Sequence, residues 1–452
     1  MSRAVASMLN LTGSMCRTAV IAVFLLCGAV AFDPAVPGDL ISGAVAQDEK
    51  PKKDKRETRR TPALRNKVYE KLAEAQTLAE AKDYAGAGAI LSEMIAEDGK
   101  RALNSYELAN VYNLFAFLAY ATEDYPQSLR YYQQVIAQPD IPLAMEINTR
   151  FTIAQLYFVQ EQWQQGIDAM LVWFDLNEKP NAGAYVLLAQ GYYQVKRYDL
   201  ALDNVETAIS MHESEGKLPK EQWYNLARFL YFDKEDFDSA LNVLNTLIIY
   251  YPKKQYWVQA SHLYGEKKEE ETQLALMEAA YEQGFLDRSS ELVSMAYLYL
   301  NAEVPYYAGS VIEKGFEDEL VDAKSKNYEL GGSAWAQARE VEKSIPMMEK
   351  AAARSDEGEL YVRLGNVYLD GDQFTKAADS VTKGLKKGGV KRPDQARLVL
   401  GMAYFNLGEY NKARKAFRDA GKDERSEKYA RQWIAYVTSE EERQRELEKD
   451  LF

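Results

Sequence analysis

The stretch Leu400–Ala420, LGMAYFNLGEYNKARKAFRDA, decides how the chain is read. Gly401 is followed by Tyr404, and then by Tyr410, Ala413, Phe417 and Ala420. The stretch Leu364–Gly384, LGNVYLDGDQFTKAADSVTKG, sets Gly365, Tyr368, Phe374, Ala377, Val381 and Gly384 in the same places. Spacings of three and four on either side of a short break are those of two helices joined by a turn. Gly or Ala where two helices cross lets their axes approach, and an aromatic fills the adjacent gap. Each copy therefore predicts a helical hairpin. Working outward, the small residue that opens the second helix recurs at Ala87, Ser128, Gly166, Ala201, Ala240, Gln273, Ala308, Ser344, Ala377 and Ala413, at intervals of 33 to 41 residues. Ten copies in phase predict ten hairpins over about Val68 to Ala420. Trp257, Ala260, Ser261, Tyr264, Met277 and Ala280 fit one copy well despite Gln273. Pro252 falls where a second helix should end. The copies around Ala87 and Ser128 keep the pattern least. Gly331 and Gly332 lower helix propensity inside a first helix and predict a loose unit. No strand-like alternation persists anywhere, so the reading is all-α.

A helix–turn–helix period near 34 residues is the signature of the tetratricopeptide repeat. The expected fold is an all-α tetratricopeptide-repeat superhelical solenoid of ten helical hairpins, one continuous stack over 68–420. Such stacks bind other chains. The end of a stack must be covered, and Glu424–Leu447 reads as a charged helix with Tyr429, Trp433, Ile434 and Val437 on or near one face. Residues 421–452 are therefore expected to be a capping helix and charged tail, with a partner-binding helix as the other reading.

The first 46 residues differ from the rest. Arg3 and Arg17 flank a polar start, and Thr18–Ala31 is an apolar run of 14 residues. That is short for a membrane span and suits a signal peptide. Ala-Val-Ala sites end at Ala31 and Ala46, and cleavage after Ala46 gives a polar mature start at Gln47. The expected location is the periplasm; an uncleaved start would instead anchor the chain in the inner membrane. Cys16 and Cys27, the only cysteines, both lie in this leader. The mature chain would then hold no disulfide, thiolate zinc site or thiol nucleophile, which suits an oxidising compartment.

The net charge of −13 is uneven. Residues 48–67 carry nine Lys/Arg and four Asp/Glu, whereas residues 68–452 carry 44 and 62. An acidic body argues against nucleic acid as a partner. Residues 47–67 read as a basic flexible linker. Their core, Lys50 to Arg60, has a second reading as a contact for anionic lipid or an acidic partner.

Little points to catalysis. Of two histidines, His212 sits in a polar stretch that reads as an inter-repeat loop, and His262 on a first helix; neither has a second ligand at metal spacing. No nucleophile elbow or phosphate-binding glycine loop is present in the sequence. Glu269, Glu270 and Glu271 read as solvated turn charge. The expectation is a non-enzyme without cofactor or metal.

The candidate site is the face lined by first helices. Three offsets around the small residue of each first helix are expected to point inward. They carry Asn113, Phe117 and Tyr120, then Phe151, Gln155 and Phe158, then Val186, Gln190 and Tyr193, then Asn225, Phe229 and Phe232. Aromatics supply contact area at low entropy cost, and side-chain amides pair with an extended peptide backbone. The competing reading packs several of these aromatics between repeats. No Lys or Arg stands at these offsets, which disfavours a clamp for a free C-terminal carboxylate.

Four stretches carry a closer resemblance: Arg59 to Asn66 followed by Val68 to Leu72, then Asn104 to Glu107, Gln255 to Gln259, and Met277 to Gly284. They resemble exported proteobacterial tetratricopeptide proteins encoded beside TonB, ExbB and ExbD. The resemblance implies a periplasmic scaffold accessory to TonB-type energy-transducing transport across the outer membrane, with TonB, ExbB or ExbD components as partners. The alternative is an envelope-assembly factor or chaperone that holds extended client polypeptides.

Overall fold

A computed structural model describes residues 63–139 and 141–450; the proposed leader and most of the basic linker lie outside them. Among the described residues there are 21 α-helices and no strands. The first compact unit ends at Pro219 and holds four hairpins: α1 (Asn66–Glu80) with α2 (Tyr84–Ala96), α3 (Ser105–Ala121) with α4 (Tyr125–Ala137), α5 (Leu143–Val159) with α6 (Trp163–Leu176), and α7 (Ala182–Gln194) with α8 (Tyr198–Ser214). The second starts at Lys220. Its six hairpins pair α9 (Glu221–Asp233) with α10 (Phe237–Tyr250), α11 (Lys254–Glu266) with α12 (Glu270–Glu282), α13 (Ser289–Asn301) with α14 (Pro305–Glu317), α15 (Ser325–Gln337) with α16 (Val341–Ala353), α17 (Glu359–Asp370) with α18 (Phe374–Lys387), and α19 (Pro393–Asn406) with α20 (Tyr410–Ala420). A last helix, α21 (Glu424–Asp450), follows. The chain is an all-α tetratricopeptide-repeat solenoid, and ten hairpins stand where the repeat placed them.

Nine of the ten small residues at the crossings are buried. The two serines also satisfy their hydroxyls across the crossing: Ser128 Oγ donates to Ala116 O (2.8 Å) and Ser344 Oγ to Gly332 O (2.7 Å). Gln273 is the exception. Its amide lies where a Cβ on Gly265 would be, 2.6 Å away, so that glycine makes its room. Gly331 and Gly332 are buried against Met347, Ile312 and Met348. The eighth hairpin is therefore closely packed, contrary to the looseness expected of its two glycines, because there the missing side chains admit the facing methionines.

The turn inside every hairpin is the same. Its left-handed residue is Lys82, Glu123, Glu161, Lys196, Glu235, Lys268, Glu303, Arg339, Asp372 or Gly408. Two backbone bonds close each one: Glu123 N–H donates to Tyr120 O (2.9 Å) and Asp124 N–H to Ala119 O (2.8 Å), and the other nine repeat this pair. This is the Schellman closure, which satisfies the last carbonyls of the first helix. Only Gly408 meets its φ without a Cβ penalty. Glu235→Gly is therefore expected to raise stability by about 0.5–1 kcal/mol, and Gly408→Ala to lower it by a similar amount. Urea unfolding of both variants checks the pair; a destabilised Glu235→Gly would contradict it.

The final helix covers the tenth hairpin. Ala430 and Val437 are buried, and Trp433 stacks on Phe417 at 5.3 Å. Tyr429, expected on this seat, is 59% exposed, and Ala430 takes the place instead. The start of the helix is pinned by buried Asp394, which accepts from Ser426 Oγ (2.7 Å) and pairs with Arg392 Nη2 (2.6 Å). Arg392, aided by Ser426, holds the Asp394 carboxyl well below the usual carboxylate range against the opposing effect of burial.

Candidate partner-binding face

The structure sorts the expected inward residues into three kinds. Phe158 is core, only 4% exposed. Its ring fills the space that Cβ atoms on Gly166 and Gly191 would need, at 2.5 and 2.7 Å, so one side chain locks its own hairpin to the next. Val186 is also buried, and Phe117 packs against the core of the first hairpin.

A second group closes turns. Tyr120 meets Tyr125 at 5.5 Å, Phe158 meets Trp163 at 6.2 Å, Tyr193 meets Tyr198 at 5.7 Å and Phe232 meets Phe237 at 6.3 Å. In each case the last aromatic of the first helix lies on the aromatic that opens the second, five residues on. Each pair braces its own hairpin, and Tyr120, Tyr193 and Phe232 remain half-buried.

The third group keeps access to solvent. In the first unit it comprises Asn113, Phe151, Gln155 and Gln190, all half-buried, with Phe151 leaning on Trp173 at 4.8 Å. In the second unit it comprises Asn225 and Phe229, the latter 37% exposed.

Around Asn225 the structure shows a polar cluster that the offsets missed. Asn225 Nδ2 donates to Tyr256 Oη (2.9 Å), and Tyr256 Oη donates to Glu221. Lys253 Nζ donates to both Glu221 oxygens at 2.7 Å. Arg228 donates to Gln259 and stands over the Tyr256 ring, 5.4 Å from its centroid. Two buried atoms here have no hydrogen-bond partner among the described residues, the acceptor Asn225 Oδ1 and the donor Arg228 Nε. Burial pulls the Arg228 guanidinium below its ordinary pKa, opposed by Tyr256 and Glu221. Burial alone would push the Glu221 carboxyl up; hydrogen bonds from Lys253 and Tyr256 outweigh it and hold it below its ordinary value.

Arg228 stands twelve residues before Ala240. The same register position elsewhere holds Ala75, Ala116, Ala154, Ala189, Ser261, Ala296, Gly332, Gly365 and Gly401. One bulky cation thus replaces a small residue at a helix crossing, a signal legible in the repeat itself. Arg228 is not one of the three offsets, which still carry no Lys or Arg, but it lies one residue before Phe229 and its guanidinium bridges α9 to α11. His212 also differs from expectation, standing in the last turn of α8 and not in a loop.

A profile described as tetratricopeptide repeat matches residues 362–426, and one described as ChAPs, Chs5p-Arf1p-binding proteins, matches residues 126–303. No curated protein sequence matches the chain. Among solved structures, the chain is similar to MamA, at 20% identity over 39% of this chain and 94% of that one, with a TM-score of 0.33. It is similar to Naa15/Naa10 bound to HypK-THB, at 12% identity over 74% of this chain and 52% of that one, with a TM-score of 0.41. YrrB, a TPR protein with an unusual peptide-binding site, is similar at 14% identity over 42% of this chain and 91% of that one, with a TM-score of 0.32. The fold and the matched profiles define a protein–protein interaction scaffold of the tetratricopeptide type.

Proposed function

We propose that this scaffold works in the periplasm, accessory to TonB-type energy-transducing transport, and binds an extended segment of a partner on the first helices α9 and α11. One observation carries the binding site: Asn225 Oδ1 and Arg228 Nε are a buried acceptor and a buried donor, neither with a partner among the described residues, on neighbouring residues of one helical turn. Both atoms are covered in the free chain, so a peptide must displace the side chains over them; its N–H and C=O would then relieve unmatched groups that cost about 1–3 kcal/mol each. Phe229 beside them offers apolar contact area. The transport role and the location rest on the sequence resemblance and on the apolar leader.

The test is a pull-down from crosslinked envelopes with the wild type and with Arg228→Ala and Asn225→Ala variants. A stable complex with TonB, ExbB or ExbD components, weakened at least about fivefold by either change, is the expected result. Broad capture of unfolded chains would instead favour a chaperone. Full retention by both variants would remove α9 as the site.

A further inference from the structure

We propose that the chain binds a second copy of itself head to tail, with the basic second-helix face of its last two hairpins seated on the acidic second-helix face of hairpins six and seven of the next copy. The repeats are acidic from residue 68 to 373, and residues 374–431 reverse the sign. Residues 68–373 carry 26 Lys/Arg and 49 Asp/Glu, whereas residues 374–431 carry 15 and seven. The reversal is displayed on the surface. Lys383, Lys386 and Lys387 on α18, and Lys415 and Arg418 on α20, are exposed and form no ion pair among the described residues. Lys383 and Lys387 stand over the Tyr361 ring, at 4.4 and 6.0 Å from its centroid, and pair with no carboxylate among the described residues.

The opposite charge is collected on α12 and α14. Glu270 and Glu271 belong to the first turn of α12, not to the preceding loop as the sequence suggested. With Glu282 on α12, and Glu317, Asp318 and Glu319 at the end of α14, they are exposed and form no ion pair among the described residues. Burial, and then the nearby Asp318 and Glu282, push the Tyr281 hydroxyl up, so carboxylates of the two hairpins act on one small area.

Each face is therefore two second helices wide, from consecutive hairpins, and bears net charge of one sign although exposed Lys314 lies on α14 and exposed Asp379 on α18. Like charges crowded on one face repel, and a complementary face relieves both. An anionic bilayer fits less well, because the acidic hairpins on the same chain would be repelled by it. Joining two unlike faces is heterologous, so the product is a ring or an open string and not a two-fold dimer.

Sedimentation velocity of the full chain tests this. Association is expected at about 50 mM salt and should weaken about tenfold or more at about 500 mM, where screening is short-ranged. A variant with Lys383→Glu, Lys386→Glu, Lys387→Glu and Lys415→Glu should be monomeric, as should one with Glu271→Lys, Glu282→Lys, Glu317→Lys and Glu319→Lys. Mixed one to one, they should associate, since each keeps the face the other has reversed. Circular dichroism confirms that both remain folded. A wild type that stays monomeric at low salt, a mixture that does not pair, or binding confined to phosphatidylglycerol vesicles would each overturn the proposal.

Discussion

Phe158→Ala is expected to destabilise the first unit by about 3–5 kcal/mol, the range for emptying a buried aromatic site. The ring lies under Gly166 of its own hairpin and Gly191 of the next, and both glycines admit it by lacking a side chain. Truncation therefore opens a void bounded by three helices whose backbones are already close, with little left to collapse into it. Gln155→Ala, on the same helix and half-buried, is the control and should change stability by no more than about 0.5 kcal/mol. Urea unfolding of the two variants separates the roles. A Phe158→Ala chain of undiminished stability would return that residue to the binding face.

Glu107→Ala is expected to cost about 3 kcal/mol, the low end for breaking a buried charge pair, because the remaining Arg65 can still reach water. The Glu107 side chain is fully buried and accepts from Arg65 N (3.1 Å), Arg65 Nε (2.9 Å), Arg65 Nη2 (2.6 Å) and Asn104 N (3.0 Å). It ties the chain entering the first hairpin to the start of the second. Burial pushes its pKa up, but the bonds from Arg65 and Asn104 outweigh this and leave it below the ordinary value. A depressed carboxylate contributes its full stability above its unfolded pKa, near 4.3, and loses it as pH falls through the folded value. The wild type should thus lose stability below about pH 4.3, and the difference between wild type and Glu107→Ala should shrink there. A difference that is constant from pH 7 to pH 3 would contradict the assignment.

Arg65 also shows where the sequence reading stopped short. Residues 47–67 read as a flexible linker, yet Arg65 is clasped by Glu107, and Asn66 and Lys67 already belong to α1. Composition reports mean charge over a window and cannot report a single partner 42 residues away. The stretches that carry the resemblance are of this structural kind. Arg65 and Glu107 form the clasp, Tyr256 and Gln259 hold the α9–α11 cluster, and Met277 and Ala280 are core. The resemblance thus tracks the architecture most directly.

The hairpins were legible because a crossing favours a small residue, which recurs every 33 to 41 residues in nine of the ten second helices, Gln273 being the exception. The inward face was legible only in part. An aromatic at the end of a first helix can line a face or brace a turn, and helical spacing does not separate the two. The aromatic five residues later does: Tyr125, Trp163, Tyr198 and Phe237 each make a ring contact with the aromatic five residues before it. Arg228 was visible as a break in the small-residue register, but its reach to Tyr256 and Gln259 depends on how α9 and α11 stack.

Photocrosslinking from position 229 in living cells tests the central claim most directly. With p-benzoylphenylalanine in place of Phe229, adducts should form with one or a few envelope proteins, TonB, ExbB or ExbD components among them, and should disappear when Arg228→Ala is added. A probe at Ile249, 70% exposed on α10, should give none. Equal adducts from both positions, or adducts at 229 that survive Arg228→Ala unchanged, would contradict a partner held by Asn225 and Arg228.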